Sequence, residues 1–202
     1  MGILLLYNIL MLKIISVPNK ILSSPTKPVA VIDEKIKELL AEMEETLKLQ
    51  TDPVGVGLSA NQIGVNLSIF IVKKSPKAEI KVFINPKIIK FQSSIIKKPS
   101  PTFHHPPSRK KPVKLEGCLS IPRIWGPVNR TARIYLEYQD LAESINPERS
   151  RRIKRRWFSG FEAAIIQHEM DHLNGVVFTQ RSLEQKKPIY KEVDGELELF
   201  EI

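Results

Sequence analysis

Cysteine is nearly missing: Cys118 is the only one in 202 residues. An intrachain disulfide is excluded, a reducing cytoplasmic setting is favoured, and the single thiol needs another reason to be present. Histidine is almost as scarce, with four residues in two groups, His104-His105 and His168 with His172. A secretory leader is not indicated. Met1 to Val17 is strongly apolar, but no basic residue precedes the run and Lys13 follows it. Asn8 and Lys13 also interrupt it too early for a membrane span. Leu6 stands where a myristoylation signal wants Ser or Thr. No transit peptide is evident, although an organelle is not excluded. The plainest expectation is a natural start at Met11, with residues 1–10 as an upstream extension, ranked ahead of an added strand or an anchor.

Acidic residues are absent from two segments that carry the net charge of +9. Residues 93–113 hold five basic residues, five prolines and His104-His105, and read as a Pro/Lys-rich insertion whose histidines are surface residues. Residues 149–156 hold six basic residues and read as a basic loop or hairpin. Those eleven exceed the whole net charge, so the rest of the chain is close to neutral and the basicity belongs to the segments. No aromatic residue interrupts the second run, so a solvated hairpin competes with a nucleic-acid contact there.

What is present suffices for one well-buried domain, expected over 11–202. Val31 to Leu49 predicts an amphipathic helix, with Ile36, Leu39, Leu40, Met43 and Leu47 on one face and Asp33 as N-cap. Three glycines between Gly55 and Gly64 mark a loop that turns or approaches a ligand. The spacing is wrong for a phosphate loop and no Lys-Ser/Thr follows, which leaves Gln62 as its polar anchor. Leu67 to Lys73, Ile80 to Asn85 and Thr131 to Gln139 predict strands, and Ile189 to Ile202 a strand pair around Asp194-Gly195.

The most informative stretch is Ser159 to Phe178. Within it, His168-Glu169-Met170-Asp171-His172 places two imidazoles on one helical face, with a carboxylate beside the first. Ser159 and Glu162 have capping-box spacing, and Asn174-Gly175 is a natural stop. Two histidines leave a metal site incomplete, since a catalytic divalent ion usually takes three protein ligands. Glu192, twenty residues on, would make a zinc endopeptidase of the thermolysin type, but its glycine-containing, alternating surroundings argue against the helix this needs. Cys118 is the other candidate.

Three segments bear on that choice. Gly55-Val-Gly-Leu-Ser-Ala-Asn-Gln62, Glu116-Gly-Cys-Leu-Ser120 and Gln167-His-Glu-Met-Asp-His172 resemble, in order, the motifs of the peptide deformylases. Asn85-Pro86 and Pro122 to Arg130 align naturally beside them, and the likeness covers most of Met11 to Arg181. Ser59 departs from the family's usual alanine. The 93–113 stretch is longer than the usual connection, and the Arg-rich stretch looks extended too.

The resemblance implies an α+β fold, a single domain in which a buried metal-binding helix packs against antiparallel sheets. It implies Cys118, His168 and His172 as ligands of one divalent ion, ferrous iron natively with Zn²⁺ or Ni²⁺ as substitutes, and Glu169 as proton carrier. Gln62 and the Leu119 backbone N–H would hold the oxyanion. Val56, Ala164 and Ile165 would line the methionine slot, and Gly57 would offer backbone hydrogen bonds to the peptide. The implied activity is removal of the formyl group from N-formylmethionyl nascent peptides. The implied partners are those peptides and, through 149–156, the ribosome; neither DNA nor a membrane is expected. Glu116 has no evident catalytic task and is expected to anchor the cysteine loop by an ion pair. The alternatives are the zinc endopeptidase and a catalytically silent ribosome-binding relative.

Overall fold

The computed structural model describes residues 12–95, 115–141 and 153–201. In chain order the elements are α1 (Glu34–Lys48), β1 (Gly57–Ser59), β2 (Ile69–Val72), β3 (Lys81–Ile95), β4 (Glu116–Cys118), β5 (Ile121–Gly126) and β6 (Thr131–Gln139). β7 (Lys154–Ser159), α2 (Gly160–Leu173), α3 (Phe178–Glu184), β8 (Ile189–Val193) and β9 (Glu196–Phe200) follow. Single 3₁₀ turns occupy Lys20–Ser23 and Ala60–Ile63. One sheet has the order β1-β2-β3-β6-β7 and the other β4-β5-β8-β9, and every paired strand whose register is given is antiparallel. This is the expected α+β class.

β2 shows how the first sheet is buried. Ile69-Phe70-Ile71-Val72 is continuously apolar because both faces of the strand are covered. Phe70 and Val72 pack with Phe83, Leu136, Phe158, Ala163 and Ile166 on the α2 side. Ile69 and Ile71 pack with Ile36, Leu40, Met43 and Leu47 of α1 on the other. Phe70, Phe83, Tyr138 and Phe158 form an aromatic cluster beneath α2, with successive centroids 4.7–5.6 Å apart. α2 is thus held against a stiff floor.

The ends of α1 match the sequence reading: Asp33 Oδ1 accepts from the Ile36 N–H at 3.1 Å. The start of α2 does not. Ser159 occupies the N-cap position but its side chain makes no capping bond. Glu162 instead pairs with Lys81 at the start of β3, so a tertiary ion pair takes the carboxylate that the local box would have used. The stop is as expected, with Gly175 at φ 72°. α3 lies beyond it and was not foreseen.

β3 also differs, running past Asn85-Pro86 to Ile95. The register against β6 shifts between Ile84 and Lys87, and Asn85 at φ 49° turns its side chain to the Val29 backbone at 2.8 and 2.9 Å. A bulge therefore admits the proline that had seemed to end the strand. The basic segment is corrected as well. Lys154, Arg155 and Arg156 open β7 rather than lying in a loop, and Lys154 pairs with Asp140 while Arg155 pairs with Glu137 across the strands. The tail hairpin forms as expected, with Asp194 and Gly195 at positive φ.

The reading of residues 1–10, the surface placement of His104-His105, Arg149, Arg151 and Arg152, and most of the 93–113 insertion lie outside the described residues. Among the described residues no helix is long and apolar enough to cross a membrane.

Candidate metal centre

α2 carries His168 and His172 one turn apart, and their rings meet edge-on with centroids 4.9 Å apart. The β4–β5 hairpin brings Cys118 to them, with Cys118 opposite Ile121 and packed on Phe178 of α3. One ligand atom from each of Cys118, His168 and His172 falls within 4.8 Å of the others. Cys118 Sγ lies 3.2 Å from His172 Nε2. Glu192 is not among them. It lies on β8, where its carboxylate accepts from Arg123 Nη1 at 2.6 Å and Trp125 Nε1 at 2.9 Å. The endopeptidase geometry is overturned.

Glu116 does more than anchor its loop. Its Oε2 lies 3.0 Å from His168 Nδ1, and it takes a two-pronged grip from Arg130, Nε to Oε1 and Nη2 to Oε2, both 2.8 Å. Arg130 Nη1 continues to Asp171 Oδ2 at 2.5 Å, and Asp171 also accepts from Arg181. Burial alone would raise the Glu116 carboxyl, but the charge and hydrogen bonds of Arg130, with those of His168, hold it down to about 2. An ionised Glu116 fixes the proton of His168 on Nδ1 and leaves Nε2 with its lone pair for a metal.

The donor set fits a divalent cation. A thiol and two imidazoles are buried at one point, and a thiolate with two neutral imidazoles suits several first-row metals. Burial opposes a charged His168, yet its contacts with Cys118 and Glu116 raise its pKa well above the usual value. Burial, with the charges of His168 and Arg130, pushes His172 well below.

Glu169 is 3% exposed, and among the described residues its Oε2 has no hydrogen-bond partner. Burial lifts its pKa to about 7, against the pull of His168 and Arg130. A group with that environment is suited to accepting and returning protons. Space for it exists because residue 57 is glycine: a Cβ there would sit 2.3 Å from Glu169 Oε1. Asn61 Nδ2 donates to the His172 carbonyl at 2.6 Å and Gln167 clasps Thr131 of β6, so helix and loops are locked together.

These groups open on a cleft. Val56, Gly57, Ala164 and Ile165 line it with His168 and Glu169, and Gln62, Cys118 and Leu119 line it from the loops. The residues carried by the deformylase resemblance all reach this cleft except His172, which is fully buried, and the rival ligand Glu192 does not line it. Trp125 and Phe161 also line it and were missed. Arg130, Asp171 and Arg181 were missed too. Only the acid content of the motifs, Glu116 and Asp171, hinted that buried carboxylates would need cations.

The family model described as polypeptide deformylase matches residues 11–188. A peptide deformylase of Dictyoglomus turgidum is 34% identical over 178 residues, covering 87% of this chain and 95% of the relative. One from Aquifex aeolicus is 35% identical, covering 83% and 85%. Among solved structures, a peptide deformylase from Thermotoga maritima superposes with a TM-score of 0.67 at 29% identity, covering 85% of this chain and 97% of that one. One from Synechococcus elongatus in complex with actinonin gives 0.66 at 28%, covering 87% and 85%.

Proposed function

Because the chain belongs to the polypeptide deformylase family and removes the N-formyl group from nascent peptides, we propose how its own residues perform that hydrolysis. The family is metal-dependent. Cys118, His168 and His172 hold the ion, ferrous iron in our reading, with zinc or nickel as substitutes. The cation supplies Lewis acidity and makes a water acidic near neutral pH. The single observation that carries this reading is the convergence of those three donors beside the buried carboxylate of Glu169.

Glu169 takes a proton from the attacking water. It returns a proton to the peptide nitrogen as the C–N bond of the formyl amide breaks, so the water oxygen leaves in formate and the methionine amine is freed. Gln62 Nε2–H and the Leu119 N–H donate to the formyl oxygen as negative charge gathers there. Loss of one such donor typically costs about a hundredfold or more in rate. Val56, Ala164 and Ile165 take the methionine side chain, and the Gly57 backbone binds the extended peptide.

The same reading takes residues 11–202 as one cytoplasmic catalytic domain, supported by the match over residues 11–188. A ribosome contact through 149–156 rests on charge, although Lys154 and Arg155 are already ion-paired. Sharply salt-dependent co-sedimentation with ribosomes supports the contact, and binding indifferent to reversal of these charges excludes it.

Formate release from a formylmethionyl tripeptide, with ferrous iron supplied under exclusion of air, tests the reading. Activity that decays in air and returns with nickel identifies iron beside an oxidisable thiolate. Internal cleavage of unformylated peptides without formate release would overturn it.

A further inference from the structure

A buried polar line connects the histidine helix to the cysteine loop, and Ser59 stands in its middle. Asn61 Nδ2 donates to the His172 carbonyl, which turns Asn61 Oδ1 toward Ser59 Oγ, 2.8 Å away. Ser59 Oγ also lies 3.0 Å from Gln62 Oε1, and the Ser59 N–H donates to that same oxygen at 2.9 Å. At the other end of the amide, Gln62 Nε2 faces Ser120 Oγ at 3.1 Å and Cys118 Sγ at 3.5 Å. Ser59 and Asn61 are fully buried and Gln62 is 1% exposed.

The orientation of Gln62 follows without locating any hydroxyl hydrogen. A backbone N–H only donates, so the amide atom facing it is oxygen, and the NH₂ faces Cys118. The Ser59 N–H holds the oxygen end and Ser120 Oγ the NH₂ end, and the terminal torsion between them has no sharp staggered preference of its own. A second donor on the same oxygen fixes the amide plane. The Ser59 hydroxyl, 3.0 Å from that oxygen, is placed to be the second donor. Its one proton is shared with Asn61 Oδ1, which is anchored to the backbone of the ligand His172.

We propose that Ser59 is a positioning residue for deformylation, setting the plane of the Gln62 carboxamide so that Nε2–H meets the formyl oxygen. The proposal rests on Gln62 being an oxyanion donor. Ser59 acts through Gln62, its hydroxyl also bonding the Glu169 carboxylate, and its removal affects turnover rather than binding.

The test is a double-mutant cycle on metal-loaded protein, with kcat, KM and metal content measured for Ser59→Ala, Gln62→Ala and the double variant. Ser59→Ala is expected to lower kcat about tenfold, one hydrogen bond's worth, with KM and metal content unchanged. It should cost much less in the Gln62→Ala background, where only its contact with Glu169 remains to be lost. Additive losses, or a Ser59→Ala enzyme with wild-type kcat while Gln62→Ala is impaired, overturn the positioning role alone. Wild-type kcat in Gln62→Ala overturns the oxyanion reading beneath it. A second measurement needs no variant and no substrate. The Gln62 side-chain amide in the wild-type protein should be as rigid as the backbone, with an NMR order parameter of about 0.85, and a value below about 0.6 overturns the proposal.

Discussion

Glu116 and His168 are 52 residues apart in the chain, and their Oε2 and Nδ1 atoms lie 3.0 Å apart. The contact sets which nitrogen of His168 faces Cys118, and Arg130 holds Glu116 in place from the other side. Replacing Glu116 by Gln keeps the volume but removes the charge that both partners use. Metal affinity is expected to fall about 10- to 100-fold. Competition with a graded series of chelators measures it, and unchanged affinity would return Glu116 to a purely structural role.

Gly57 gives a sharper separation of fold from chemistry. The atom that an added Cβ would meet is the carboxylate of Glu169, at 2.3 Å, and not backbone. Gly57→Ala is therefore expected to fold and bind metal while displacing the carboxylate proposed to carry the proton. A misplacement of about 1 Å costs about a hundredfold in rate. Steady-state formate release at matched metal content reads this out.

Glu192→Ala is expected to leave metal content unchanged, since its carboxylate is held by Arg123 and Trp125 away from the three donors. Cys118→Ala is expected to lose the ion. Elemental analysis of the two purified variants decides between them, and the reverse pattern would move the third ligand to Glu192.

Ala164 supplies a prediction about selectivity. It lines the cleft beside Ile165 and Val56, so Ala164→Leu fills space that the substrate side chain is proposed to occupy. KM for a formylmethionyl peptide is expected to rise about tenfold or more, the scale of a few methylenes in an apolar slot. A peptide with formylglycine in place of formylmethionine should be hurt less. Equal effects on both peptides would place the slot elsewhere.

Much of this centre was legible in the sequence because its parts are local. A two-histidine helical turn, a glycine-flanked cysteine and a glutamine in a glycine-rich loop are each visible in a few residues. The strand over 131–139 and the cap at Asp33 were legible for the same reason, since alternation and capping are short-range. What escaped was decided across the fold. Glu162 left its local capping box for Lys81, Asn85 carried β3 through a bulge by bonding Val29, and Lys154 and Arg155 of β7 pair with Asp140 and Glu137, in and just beyond β6. Arg130 and Trp125 gave no sequence signal because their roles depend on partners that only tertiary contact supplies.

The central claim is that Glu169 moves the proton in a site whose ion is held by Cys118, His168 and His172. Formate release by Glu169→Ala beside the wild type, with the ion in each preparation counted, tests it most directly. The expected result is one ion per chain retained and a rate lower by about a hundredfold or more. A Glu169→Ala enzyme that keeps both its ion and its wild-type rate would contradict the account.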